Sequence, residues 1–381
     1  MKRVSFSAVA LTALFVLACG DNGGPSDQPD ASPGVDAAIA TVDLVAVAGD
    51  FDATGVYSIV KVPRGGAADM PNALAGVAGG DPVVRRFGDE LIIVNRLGGD
   101  NVTIVNGRSH SLVRQIATPA GSNPQDVAVV ENKLYVPALA SSDLLVFDKS
   151  TGAALPGIDL SSLDAADDQP DCVSAVAVGS KVFVACGQLD ENFAARGVGK
   201  LAVIDTSDDS LETMVDLPVN NPTGFLQTTP SASVFAGDLL VPMIPDYVDT
   251  TTSCIARVAT TSPYASSCAI TGTELGGYPN RVEASRDGLL LWIVVNGFGA
   301  APFGHLRGFD LGSGDLWPGS VSPEAQVITD VTVCEGGYVV VSDRADGASG
   351  LRLYNGVTEQ TTAPIAIGLA PGYGNNLACM D

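Results

Sequence analysis

The chain is short of histidine, of basic residues and of aromatics. Two histidines in 381 residues leave little for imidazole acid–base chemistry or metal ligation. Lys and Arg number 20 against 43 Asp and Glu, a formal net charge of −23. A surface this acidic repels phosphate backbones, which excludes nucleic acid as a partner. Charged residues make up 17% and apolar residues 46%, so a wholly disordered chain is also excluded. No CxxC, CxxCH or cysteine–histidine cluster occurs, which argues against zinc ribbons and covalent haem. A serine-nucleophile elbow (G-x-S-x-G) and an HExxH motif are missing as well. What is plentiful is glycine and proline, 43 and 23 residues: the chain turns often.

The N-terminus reads as an address. Met1-Lys2-Arg3 is a short basic segment, and residues 4–18 are apolar or small apart from Ser5, Ser7 and Thr12. That run suits the apolar part of a signal peptide and falls short of the ~20 residues a membrane-spanning helix needs. It ends in Val16-Leu17-Ala18-Cys19, which resembles the bacterial lipobox. The resemblance implies cleavage before Cys19, lipidation of its thiol and acylation of the new amine. Several acyl chains anchor firmly where a single chain is marginal. Gly20 follows the cysteine and Asp21 comes one place later, which by the enteric sorting rule favours the outer membrane. The expected location is the cell envelope: an outer-membrane lipoprotein, facing the periplasm or the surface, held by its lipid alone. Residues 20–40 are mostly Gly, Pro, Ala, Ser and Asp, with no basic residue and almost nothing to bury, a solvated tether. Its aspartates, Asp21, Asp27, Asp30 and Asp36, lack the alternate spacing of a calcium loop.

From residue 41 onward the chain repeats. A strand-like segment recurs at 44–48 (LVAVA), 91–94 (LIIV), 134–136 (LYV), 182–185 (VFVA), 239–241 (LLV), 289–295 (LLLWIVV) and 338–341 (YVVV). Each is followed, after a polar or Gly-rich loop, by another: GVYSIV from Gly55, NVTIVN from Asn101, DLLVFD from Asp143, KLAVID from Lys200, CIARVA from Cys254, HLRGFD from His305 and GLRLYN from Gly350. A third precedes most of them: VAVV from Val127, SAVAV from Ser174, ASVFA from Ala232, RVEAS from Arg281 and DVTVC from Asp330. Alternation, β-branched richness and closely spaced turn residues read as antiparallel strands, and no segment shows a helical period.

The repeat length, roughly 40–55 residues, is that of one four-stranded propeller blade. Blades are predicted at 41–80, 81–122, 123–170, 171–222, 223–277, 278–325 and 326–372. The tail, 373–381, contains NNLACM, which fits the first strand of a blade. The segment near residue 41 starts at the second-strand position and lacks that first strand. The C-terminal strand is therefore expected to complete the first blade and close the ring, removing open sheet edges. The expected fold is all-β, a seven-bladed β-propeller of four-stranded antiparallel blades.

NPQDVAVVENKLYVPALASSDLLVFDKSTG (123–152) and PNRVEASRDGLLLWIVV (279–295) resemble YVTN-type β-propeller repeats, relatives of the NHL and WD-type repeats. The resemblance covers roughly residues 41–381. It is loosest in the fifth blade, where Val258-Ala259 stand where an Asp should end the third strand. With its Asp-rich tether, the chain is similar to secreted propeller lipoproteins of Gram-negative bacteria, many without an assigned activity.

Few residues suggest chemistry. Tyr135, Phe183 and Trp292 hold the same place in their second strands and read as filling between blades. Asp148, Asp205 and Asp310 end third strands ahead of Gly, Thr or Ser, where a short carboxylate caps turn N–H groups. With Cys19 set aside, six cysteines remain, an even number in a chain marked for export, where disulfides persist. Cys172/Cys186 and Cys254/Cys268 are each 14 residues apart and suit hairpin staples. Cys334 and Cys379 hold nearly equivalent first-strand positions in the last blade and the closing strand. First strands approach one another around the channel, so a bridge there locks the ring. His110, in GRSHS, and His305 read as lone structural histidines. Asp164/Asp167/Asp168/Asp171 and Asp246/Asp249 sit in long loops that could hold Ca²⁺ with backbone carbonyls, although solvated loops are the simpler reading. No other cofactor, no metal and no catalytic residue is assigned.

The functional expectation is a binding or interaction module. Loops between second and third strands share a face with the approaches to first strands, and include the longest insertions, 187–199, 243–253 and 296–304. Asn95, Arg96, Gln188, Asp190, Asp246, Tyr247, Asn296, Phe298, Asp343 and Arg344 are expected to rim that face, with Arg281 at the channel. The mixture of hydrogen-bonding and aromatic groups suits an envelope protein or a polysaccharide. The alternative is an enzyme of lactonase-like or oxidoreductase-like type with its site at the channel mouth. Arg85, Arg281 and His305 are the residues available there, and none matches a catalytic motif. A monomer is expected.

Overall fold

Residues 42–49 read VDLVAVAG, and the five central positions are all buried. A strand covered on one face alternates apolar with polar; this one is covered on both. Leu44, Ala46 and Ala48 join a core shared with the last blade, while Val45 and Val47 join one shared with the second. The same division recurs around the molecule. The seven apolar cores lie between successive sheets, including one between the last sheet and the first. Continuous apolar runs therefore mark blades that are sandwiched on both sides.

The computed structural model describes residues 41–63, 69–297 and 303–380. These residues form seven antiparallel sheets arranged as a ring. Blade 1 is Leu377–Met380, Val42–Gly49 and Gly55–Val62, from the axis outward. Blade 2 is Pro82–Phe87, Glu90–Asn95, Asn101–Asn106 and Ser111–Ala117. Blade 3 is Ala128–Val130, Lys133–Val136, Asp143–Asp148 and Ile158–Asp159. Blade 4 is Cys172–Val178, Lys181–Cys186, Lys200–Asp205 and Ser210–Asp216. Blade 5 is Gln227–Thr228, Leu239–Met243, Cys254–Val258 and Ser266–Thr271. Blade 6 is Tyr278–Ala284, Leu290–Asn296 and Gly304–Asp310, and blade 7 is Ile328–Cys334, Tyr338–Asp343, Gly350–Asn355 and Thr358–Glu359.

The predicted architecture holds. In blades 1 and 6 the fourth position is reduced to a single bridge, Met70 against Ile59 and Leu316 against Phe309. Leu377–Met380 pairs antiparallel with Val42–Gly49, Cys379 opposite Leu44, so the C-terminal strand closes the ring as expected. All three disulfides form as the spacing suggested. Cys172–Cys186 joins strands 1 and 2 of blade 4, and Cys254–Cys268 joins strands 3 and 4 of blade 5. Cys334–Cys379 ties the innermost strand of blade 7 to that of blade 1.

Two expectations need correction. The segment from Ala232 is a succession of turns, and the first strand of blade 5 lies earlier, at Gln227–Thr228. Ser233 N–H bonds back to Pro230 O and Ala236 N–H to Ser233 O, while Ala236 and Gly237 take positive φ. The apolar Phe235 that suggested a strand instead stacks on Phe309 between blades 5 and 6. The second correction is a four-residue helix, Gly272–Leu275, held by a Thr271/Glu274 capping box. One turn is too short to show a period, but the box itself was legible as T-x-x-E.

The interblade reading of the large aromatics holds. Tyr135, Phe183 and Trp292 are buried in the cores between blades 3 and 4, 4 and 5, and 6 and 7. The strand-ending aspartates cap their turns. Asp148 accepts from Thr151 N–H, Asp205 from Ser207 N–H, and Asp310 from Gly312 and Ser313 N–H. Among the described residues no helix is long and apolar enough to cross a membrane.

Candidate functional site

Antiparallel order sends the 1–2 turns to one end of the ring and the 2–3 loops, with the connections between blades, to the other. The ends differ in character. On the 2–3 loop face, residues 371–376 cross the start of four innermost strands. Asn376 N–H bonds Asp330 Oδ2 at 2.6 Å and its Nδ2 bonds Pro82 O at 2.8 Å. Val84 N–H bonds Asn375 O, Thr329 Oγ1 bonds Gly372 O, and Asn280 Nδ2 reaches Tyr373 O. Blades 1, 2, 6 and 7 are laced together there. Gly374, at φ 115°, allows the sharp course this requires.

Behind this lid the axis is built from paired charges. Arg85 of blade 2 donates Nε and Nη2 to Asp126 of blade 3 at 2.5 and 2.7 Å. Asp126 also accepts from Val127 N–H, Ser174 Oγ and Ala175 N–H, and Ser174 Oγ accepts Leu226 N–H. One hydrogen-bonded chain thus runs through blades 2, 3, 4 and 5. Opposite it, Arg281 of blade 6 faces Asp330 of blade 7, Nε to Oδ1 at 3.5 Å, and donates Nη2 to Glu283 at 2.6 Å. Burial raises the carboxyl pKa of both Asp330 and Glu283, and the Arg281 charge opposes it. The Phe225 ring centroid lies 3.7 Å from the Arg85 guanidinium carbon and 5.5 Å from that of Arg281, cation–π contacts with both.

On the side of the 1–2 turns this axial region opens into a cavity of about 540 Å³. Phe225 and Gln227 line it together with Arg85, Arg86, Arg281, Glu283 and Arg286; Val84, Leu377 and Ala378 also border it, with their side chains packed in the cores between blades. Arg86 donates to Gly88 O and Cys379 O, and Arg286 to Val333 O.

No family model and no curated protein matches the chain. Among solved structures it is similar to hydrazine synthase of Kuenenia stuttgartiensis, with TM-score 0.54 and 14% identity over 78% of this chain and 83% of that one. A protein of unknown function from Bacteroides caccae is similar with TM-score 0.47 and 10% identity, over 77% of this chain and 99% of that one. At such identity the likeness to the first extends to the fold.

The predicted face residues divide into three groups. Gln188, Asp190, Asp246 and Tyr247 lie in 2–3 loops. Asp190 and Asp246 shape those loops, accepting Asn192 and Ala194 N–H and Val248 N–H respectively. Gln188 ties to Val198 O, and exposed Tyr247 packs edge-on against Tyr278. Arg96 pairs with Asp81, and Arg344 bonds Pro371 O and lies over the Tyr373 ring. The second group is buried and frames the face from beneath. Asn95 clasps Gly79 N–H and Val77 O, Asp343 holds Val327 and Ala345 N–H and Arg352, and Asn296 is enclosed at the end of its strand. Arg281 belongs to the axis. Phe298 and Cys19 lie outside the described residues.

Of the residues weighed for a channel-mouth enzyme, Arg85 and Arg281 meet at the axis. His305 does not line the cavity; it sits in the third strand of blade 6, its pKa lowered by burial and by Arg307. His110 bridges Tyr57 OH and Asp43 between blades 1 and 2. In the long acidic loop, Asp164 and Asp167 both pair with Arg196, and Asp171 accepts Leu189 N–H. Asp249 accepts Thr251 N–H. Sequence reasoning missed Phe225, Asp126, Asp330, Glu283, Arg86 and Arg286. A signal existed for two of them: Asp-Val opens the innermost-strand segment at both 126–127 and 330–331.

Proposed function

We propose that this chain is an exported, lipid-anchored propeller of YVTN type that binds a partner protein of the cell envelope through its 2–3 loop face. The observation that carries the reading is the distribution of exposed apolar side chains. Phe51, Leu97, Phe193, Tyr247, Val248 and Tyr373 stand exposed there, Phe193 at 71% and Val248 at 73%, against Val234, Leu289 and Val357 on the opposite face. Apolar groups gathered on one polar-rimmed surface mark an interaction site. Asp50, Asp52, Asp167, Asp168, Glu191, Asp246 and Asp249 are exposed among them. Arg96 and Arg196 are already paired with acidic neighbours. That surface suits a partner carrying apolar and basic groups. Export is supported by the three disulfides and by the lipobox-like residues ending at Cys19.

The test places a photo-crosslinking amino acid at Phe193, at Tyr247 and, as a control, at Leu112 on the outer strand of blade 2, in cells that produce the chain. The first two positions should give one adduct of defined mass and the control none. No adduct from the face, or the same adduct from Leu112, would remove this surface from consideration. The anchor is tested separately: Cys19→Ser should release the protein from the membrane fraction, and retention after a salt wash would show that lipidation does not hold it.

A further inference from the structure

The three disulfides differ in how far solvent reaches them. Cys172, Cys186, Cys334 and Cys379 are each at most 2% exposed, and so is Cys254, but its partner Cys268 stands exposed on the outermost strand of blade 5. We propose that the Cys254–Cys268 bridge is a thiol-exchange site, opened by a small external thiol that attacks Sγ of Cys268 while the other two bridges stay closed. The site lies on the outer wall of the ring and does not rest on the partner reading.

Three observations carry it. The first is access. Attack on a disulfide runs in line with the bond that breaks, so the incoming sulfur must reach one sulfur from the side away from the other. Solvent reaches Cys268, whereas Cys254 lies in the apolar core between blades 4 and 5. The second is position. Ser266–Thr271 pairs on one side only, with Cys254–Val258, and among the described residues no further strand covers its outer edge. The third is a weak ladder at that place. Ala256 faces Cys268 and Ile255 faces Ile270, so Ala269 has no residue opposite. The bulge leaves Ser267 and Cys268 exposed side by side, which breaks the alternation of a strand. Within Ser266–Thr271 only Ile270 is buried. A segment with so few buried contacts opens locally at low cost.

The chemistry balances as an exchange. The external thiolate forms a bond to Cys268 Sγ, the Sγ–Sγ bond breaks, and Cys254 leaves with the electron pair and takes up the proton that the external thiol gave up. A second thiol then displaces the first from Cys268. Two thiols are oxidised to their disulfide, and the bridge is reduced to two thiols. The strand Ser266–Thr271 loses its covalent tie, while Cys334–Cys379 keeps the ring closed.

The test is to incubate the folded, oxidised chain with reduced glutathione at neutral pH without denaturant, quench with acid at intervals, and map the peptides by mass. The Cys254–Cys268 bridge should open first, with glutathione on Cys268 and Cys254 recovered as a thiol, roughly ten times faster or more than either other bridge. Amide exchange in the opened form should quicken within 266–271 and stay unchanged in the innermost strands. Survival of Cys254–Cys268 for as long as the other two bridges would overturn the proposal. So would opening of all three together, an adduct on Cys254 instead of Cys268, or exchange quickened across the whole ring.

Discussion

Arg85 of blade 2 and Asp126 of blade 3 meet as a two-pronged ion pair, with the aspartate side chain wholly enclosed. Three further donors from blades 3 and 4 converge on the same carboxylate. Removing Asp126 would strand a largely buried guanidinium and leave those donors without an acceptor. Asp126→Ala should therefore lower the stability of the domain by about 3–5 kcal/mol. Asp126→Asn, which keeps the shape and one acceptor, should lower it less. Urea denaturation of the purified domain measures both, and a loss for Asp126→Ala of under about 1 kcal/mol would contradict the role given to this pair.

The disulfides should contribute unequally. Cys334–Cys379 spans 45 residues and joins two blades, whereas Cys254–Cys268 spans 14 within one blade. In the chain-entropy model the first closure is worth about 4 kcal/mol and the second about 3. Cys379→Ser also loosens the four-residue strand Leu377–Met380, whose pairing with Val42–Gly49 closes the ring. Its denaturation midpoint should fall further than that of Cys268→Ser, and the reverse order would count against ring closure as the more stabilising of the two.

Asp171 gives a pH-dependent prediction. Burial pushes its carboxyl up to about 6, the neighbouring Asp167 and Asp164 add to the rise, and the Leu189 N–H opposes it. Between the ordinary aspartate range and pH 6 the folded chain holds more protons than the unfolded chain. Stability therefore falls as pH rises through that window, and the ionised form is penalised above it. Asp171→Asn should raise stability near neutral pH by about 1 kcal/mol, a figure reduced for solvent screening of a half-exposed group. The gain should vanish below about pH 4. Thermal melts of both proteins across pH 4 to 8, about two units either side of Asp171's shifted range, would expose a gain that failed to follow this course.

The blades were legible because their strands carry local signals. Segments such as LVAVA and LYV, spaced by Gly-, Asp- and Asn-rich turns, specify strand, turn and repeat length without reference to anything distant. Cysteine spacing extended that reading to Cys334 and Cys379, because equivalent positions in a ring are neighbours. The axial site was only half legible. Arg85 and Arg281 stood out as cations on innermost strands, but their meeting with Phe225 depends on how seven separate segments converge, which no local pattern records. Phe225 sits outside any strand, and Asp126 reads like the start of an ordinary blade. The strand expected at Ala232 failed for a related reason: Phe235 is apolar to pack between blades, and apolarity alone does not tell a strand from a turn that folds back onto the core.

Ring closure by Leu377–Met380 sets the blade register, the division of the two faces and one wall of the axial cavity, so its direct test is the pairing of Cys379. Peptide mapping of the non-reduced protein should recover Cys379 linked to Cys334, alongside Cys172 linked to Cys186 and Cys254 to Cys268. Cys379 found free, or joined to Cys172 or Cys254, would contradict the closed ring.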